Sequence, residues 1–353
     1  MVEGYVSHII KATCCNSNEM TLMMNSISKY TFNYIDAARI IGIFFVVYGH
    51  EHPFMETNDL LLRKYVYSFH MPLFFLISGM LSYGGANLSF KQRERKLWYS
   101  LIVPYFLYHS YLILKLFISP NIFWQDVVHI LTVNMTPNSP CWFFVALFII
   151  RSVCECFNKK YVLLIIATSI YILCSCAGIL LGSFLCSHAI ISGCIFYTVG
   201  QIGIKHIEVM NKKKYAWLAF ISILLVGLYM LYFPRYDMYV GSYNNPLLYI
   251  LVSVASSFLI LFFSWMITQK IPVHLLDKIK PLSRGTMLIV GSHYPIVSLL
   301  SKKYFCNHDS LMVKLLITFI LIVGYWFIIK MTYKRFPILY GKCNLLKKLN
   351  DES

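Results

Sequence analysis

Between Tyr34 and Met331 the sequence returns repeatedly to apolar runs of about 18 residues or more, and a helical run of that length crosses roughly 30 Å of hydrocarbon at about 1.5 Å per residue. Lipid offers no partner to a backbone N–H or C=O, so such runs must satisfy their own backbone as helices. The expected fold class is therefore all-α, a polytopic transmembrane bundle of about ten helices. The runs place them at about 34–53, 66–83, 97–118, 141–157, 161–179, 184–204, 215–233, 247–268, 285–301 and 311–331. Composition agrees, with 58% hydrophobic and 13% charged residues, where a soluble domain carries about 25% charged. The expected division is a cytoplasmic, disordered tail over 1–33, a transmembrane domain over 34–333 and a basic cytoplasmic tail over 334–353. Residues 1–33 contain no unbroken apolar core followed by a small-residue cleavage site, so the first helix is expected to serve as the insertion signal. Any chemistry must sit within or beside the bundle.

Lysine and arginine accumulate in alternate connections, as the positive-inside rule requires of cytoplasmic loops. One set holds 23, among them Lys91, Arg93, Arg95 and Lys96, then Arg151, Lys159 and Lys160, then Lys205 and Lys212 to Lys214, then Lys270, Lys278, Lys280 and Arg284, with the rest in the two tails and at Lys330. The other set holds Arg63, Lys64, Arg235, Lys302, Lys303 and Lys314. Both termini are thus expected in the cytoplasm. The formal charge of +16 is accounted for by a membrane face rich in anionic lipid and calls for no nucleic-acid partner. The 11 cysteines contain no C-x-x-C pair. The two C-x-C pairs, Cys154 with Cys156 and Cys174 with Cys176, point about 200° apart on a helix, so they read as small packing residues and no metal site is expected.

An ionisable side chain inside lipid is costly, which makes it a site candidate by default. Arg39 and His50 in the first helix are eleven residues apart, three turns plus about 20°, so they share a face while their Cα atoms lie roughly 16 Å apart. That spacing suits two ends of one elongated ligand. Asp36, three residues before Arg39, is placed to orient the guanidinium as an ion pair or to anchor the helix at the headgroups. His50 reads either as a reactive group or as a hydrogen-bonded core histidine. His70, beside Pro72 at the expected start of the second helix, falls on the same outer side as His50. His293, beside Pro295 in the ninth helix, is a further candidate. Arg93, Arg95 and Lys96 either fix topology or grip a phosphorylated donor. His109, Lys115, Trp142 and Asn245 are weaker candidates, an interfacial belt sufficing for Trp142.

Five segments belong together: Tyr34-Ile-Asp with Arg39-x10-His50, Phe69-His-Met-Pro-Leu-Phe-Phe-Leu-Ile-Ser-Gly79, Leu101-Ile-Val-Pro-Tyr105, Trp142-Phe143, and His293 near Pro295. In combination they resemble the acyltransferase 3 family of integral-membrane acyltransferases, especially the branch named for fucose 4-O-acetylase. The resemblance runs through about residues 34 to 330. It implies acyl transfer, usually of acetyl from acetyl-CoA, to a hydroxyl of a cell-surface or lipid-linked glycan at the bacterial inner membrane. It also implies that Arg39 and His50 are the essential residues. Relatives place an Arg-x-x-Arg pair after the second helix, where this chain has Arg93-x-x-Lys96, and lysine cannot form the bidentate fork. A sugar hydroxyl is a poor nucleophile, and histidine, with an ordinary pKa near 6.5, is suited to activate it as a general base; the alternative is that His50 accepts the acyl group itself. Arg39 would hold donor phosphate or stabilise developing charge. Acyl-CoA is the expected donor substrate, with no tightly bound cofactor. A transporter or glycan flippase is the competing expectation, since it too uses intramembrane cations and imidazoles.

Overall fold

Within the described residues the ten expected apolar runs are helical, the third being divided into a π turn over Trp98–Ile102, an α-helix over Val103–His109 and a 3-10 turn over Ser110–Leu112. The computed structural model describes residues 33–50, 60–82, 89–113, 117, 120–134, 138–176, 184–207, 212–239, 241, 245–300 and 311–342. The helices are α1 Asn33–Gly49, α2 Leu60–Leu81, α3 Phe90–Leu97, α4 Val103–His109, α5 Pro120–Thr132, α6 Trp142–Cys156 and α7 Lys160–Cys176. They continue with α8 Ser187–Ile207, α9 Lys212–Tyr232, α10 Pro246–Lys270, α11 Val273–Arg284, α12 Thr286–Leu300 and α13 Leu311–Thr332. Among the described residues, five stretches are long and apolar enough to cross a membrane by themselves: Ser139–Cys156, Ser187–Ile204, Lys214–Tyr232, Pro246–Lys270 and Leu311–Thr332. The apolar α7 and α12 are shorter. The N-terminal tail lies almost wholly outside the described residues, as do Lys115, Lys302 and Lys303, whereas residues 334–342 of the C-terminal tail are described and form a 3-10 turn over Pro337–Tyr340 that packs on α4 and α12.

Polarity is arranged as a lipid-dissolved bundle requires. Large apolar side chains such as Trp217, Phe220, Leu316 and Phe319 face outward from α9 and α13, while hydroxyls turn inward. Ser253, Ser256, Ser257 and Ser264 of the central α10 are fully buried, and Ser256 meets Ser68 of α2 at 2.8 Å. Small side chains let helix axes approach closely where lipid gives no hydrophobic drive for association. The tightest contact is α2 on α8. A Cβ at Gly79 would overlap the carbonyl of Tyr197, and one at Gly200 would overlap the carbonyl of Leu76. Gly200→Val is therefore expected to force this crossing apart and cost about 1–3 kcal/mol. A lowered thermal midpoint of the purified protein checks it; an unchanged midpoint would mean that the crossing is slack.

Prolines shape two further elements. Pro104 has no N–H to offer Ser100, and its ring crowds that carbonyl. The chain widens into a π turn over Trp98–Ile102, closed by the Val103 N–H on the Trp98 carbonyl. In α12, Pro295 likewise releases the carbonyl of Gly291. Asn138 Nδ2, from the segment leading into α6, donates to it at 2.6 Å. Tyr108 packs so closely on Gly291 that a Cβ there would overlap the ring.

Three expectations are corrected. The second helix begins at Leu60 rather than near 66, so Arg63 and Lys64 belong to α2 and Pro72 lies inside it. The charged pair lowers local hydropathy, but Arg63 is only 3% exposed and Lys64 extends its stem to reach the carbonyl of Met230 at 3.3 Å. Lys314, grouped with the outer cations, is buried within α13. Two stretches read as connections are helices, α5 and α11. Both are too short to span, and α11 packs against α1 and α13, burying Leu276 and Leu282.

Candidate active site

The chain leaves α1 at Gly49, and the next residue, His50, closes the helix with its N–H on the carbonyl of Val47 at 3.2 Å. Its ring turns back along the helix, Nδ1–H donating to the carbonyl of Val46 at 2.7 Å. On α12, His293 does the same, Nδ1–H donating to Ile289 at 2.7 Å. The two rings then meet edge to face, centroids 5.0 Å apart, with His293 Nε2 3.3 Å from His50 Nδ1. The Tyr294 ring stands edge-on to His50 at 5.7 Å. Sequence reasoning singled out both histidines but gave no sign that they touch.

His70 of α2 repeats the pattern, Nδ1–H donating to Val66 at 2.9 Å. It is 7% exposed and within electrostatic reach of both His50 and His293. Rather than opening its helix at an interface, as expected, it lies well inside α2 because that helix starts earlier. A carbonyl can only accept, so all three imidazoles carry hydrogen on Nδ1 and keep the lone pair on Nε2. Among the described residues no three such side chains converge in a way that could hold a metal ion.

Tyr67 ties the cluster together. Its hydroxyl donates to the carbonyl of Gly49 at 3.2 Å, its ring lies 4.9 Å from His70, and the Arg235 guanidinium covers it at 4.4 Å. Asp237 and Arg63 also act electrostatically on His50. Sequence reasoning missed Tyr67, Arg63, Arg235 and Asp237 as site residues. The signal available was an arginine pair flanking the same end of the bundle, which was read only as topology.

At the other end of α1, Asp36 accepts a hydrogen bond from Ser283 Oγ of α11 at 2.5 Å and draws on half-buried Arg39 by charge across space. The orienting contact expected between Asp36 and Arg39 is thus made to a hydroxyl of another helix. Two concavities stand out among the described residues, both towards this end. One is a slot of about 10 Å³ between Asp36, Ile40, Leu276 and Lys280, no larger than a single water requires. The other is an open groove of about 510 Å³ along α3, lined by Phe90, Lys91, Glu94, Arg95, Trp98 and Phe148. Neither includes Arg39 or His50. The reactive groups, rather than these hollows, define the site, since residues 51–59, which follow His50 directly, lie outside the described residues.

The basic cluster divides. Arg93 faces inward to Glu155 of α6 at 4.0 Å, and Glu155 also binds Arg151 Nε and the Tyr197 hydroxyl at 3.0 Å each. Arg95 lines the groove, and Lys96 is exposed. Of the weaker candidates, Asn245 caps α10 by accepting the Leu248 N–H at 3.0 Å. His109 donates to its own helix at Tyr105. Trp142, expected in an interfacial belt, is 4% exposed, held between Phe75 and Tyr239.

Comparison with known families matches residues 32–331 to the acyltransferase domain. No curated protein and no solved structure matches the chain.

Proposed function

The chain belongs to the acyltransferase family defined by that domain, which covers the bundle nearly end to end, and on this premise we propose that it is a membrane O-acyltransferase moving acetyl from acetyl-CoA to a hydroxyl of a cell-surface or lipid-linked glycan. The observation that carries the reading is the inward-turned His50, whose Nδ1–H is fixed by Val46 and His293. Its lone pair is thereby left on Nε2, the atom a general base needs.

His50 Nε2 takes the proton of the acceptor hydroxyl as the oxygen attacks the thioester carbonyl. The carbon–sulfur bond breaks, and the proton passes to the departing thiolate. Tyr67 and Arg235, beside His50, supply a hydroxyl and a cation at the acceptor's end. Arg39, about 16 Å along the same helix, meets the anionic part of the donor, and Arg95 and Lys91 on the α3 groove offer the donor a first contact. The donor reaches the bundle from the cytoplasm, in keeping with the distribution of basic residues, and the family resemblance supports the bacterial inner membrane as the setting.

The test uses purified protein in lipid, acetyl-CoA and a mixture of surface glycans. Release of free CoA thiol that depends on glycan, with a product heavier by one acetyl in the mass spectrum, is the expected result. Glycan movement across the bilayer without thiol release would replace this reading with transport.

A further inference from the structure

We propose that His293 is a positioning residue that acts through His50: its Nε2 lone pair receives the His50 Nδ1–H and shares the charge that His50 acquires when it takes a proton. This rests on the reading of His50 as the base. Two observations assign the roles. His293 is fully buried whereas His50 is partly exposed, so only His50 can meet an acceptor. And His293 Nδ1–H is committed to Ile289, so the nitrogen facing His50 at 3.3 Å is an acceptor.

The turn that bears His293 is held from outside its own helix. Asn138 binds the Gly291 carbonyl freed by Pro295, and Tyr108 closes on Gly291, so the His293 ring is presented from a braced segment. During transfer the acceptor O–H bond breaks and its proton goes to His50 Nε2. The hydrogen on Nδ1 stays on His50 and is now shared more strongly with the Val46 carbonyl and His293 Nε2, because a donor on a charged ring binds more tightly. The Nε2 proton then moves to the thiolate sulfur, giving free CoA, and the ring returns to its neutral form. His293 neither gains nor loses a proton.

The test pairs kinetics with a spectrum that needs no turnover. His293→Leu is expected to lower kcat about 10- to 10²-fold, the size of one hydrogen bond to a charged group, with KM for acetyl-CoA unchanged. His293→Gln, whose amide oxygen can accept but cannot take up a proton, is expected to recover most of the loss. Full activity in His293→Leu, or a glutamine variant as slow as the leucine variant, overturns the proposal. In parallel, ¹⁵N spectra of histidine-labelled protein in bilayers should show His293 with hydrogen on Nδ1 and an Nε2 resonance that shifts in His50→Phe. Insensitivity of that resonance to His50→Phe also overturns the proposal. If the spectra behave as expected while wild-type protein transfers no acyl group, it is the acyltransferase reading of the site that fails, with the histidine contact intact.

Discussion

His50→Ala should abolish measurable acyl transfer, a loss of about 10²- to 10⁴-fold, the usual contribution of a positioned general base. The substitution removes a ring that contacts His293, Tyr294 and its own helix. None of these contacts is the seam that holds the bundle, so membrane insertion and yield should match wild type. Both quantities are read from one preparation, thiol release against amount of protein folded. Wild-type turnover in His50→Ala would remove the residue from the chemistry. A loss of folded protein in proportion to activity would make it a packing residue. His70→Ala separates the neighbours further, because His70 lies within electrostatic reach of His50 without a direct hydrogen bond to it.

Arg39→Ala is expected to reduce kcat/KM for acyl-CoA by about 10²-fold, the value of two hydrogen bonds to a charged group, while Arg39→Lys recovers part of it. A lysine ammonium keeps the charge but cannot make a planar two-pronged contact with phosphate. The loss should appear mainly in KM for the donor, because Arg39 is distant from the reacting atoms. A fall in kcat alone would move Arg39 from donor binding to stabilisation of charge at the thioester. Ser283→Ala is a useful companion, since it removes the hydroxyl bound to Asp36 and frees that carboxylate to draw the guanidinium away from the ligand.

The bundle was legible because lipid leaves a chain few choices. Among the described residues the expected apolar runs are helical, the third of them broken by Pro104, and the cost of burying charge led to Arg39, His50, His70 and His293 as residues needing a reason. The meeting of His50 with His293 was not legible, because it depends on α1 packing against α12 across 243 residues of chain. Periodicity within one helix carries no information on its neighbour. Arg63 was misplaced for a different reason: its charge lowers hydropathy although the side chain is buried in α2. The amphipathic α11 did leave a trace, since Leu276, Ile279 and Leu282 recur at helical spacing. The lysines between them were read for topology, and the apolar stripe went unused. Pro295 deprives its helix of one hydrogen bond, but the freed carbonyl is claimed by Asn138, so the break stiffens the site.

The backbone contact at Gly79 and Gly200 works as a keel. With carbonyls of one helix lodged against α-carbons of the other, α2 can neither roll nor slip along α8 without a steric collision. His70 and Tyr67 are mounted on that fixed member. Any yielding of the bundle to a ligand therefore falls to lightly enclosed helices such as α9 and α13, which present most of their surface outward, while the member that carries His70 and Tyr67 stays still.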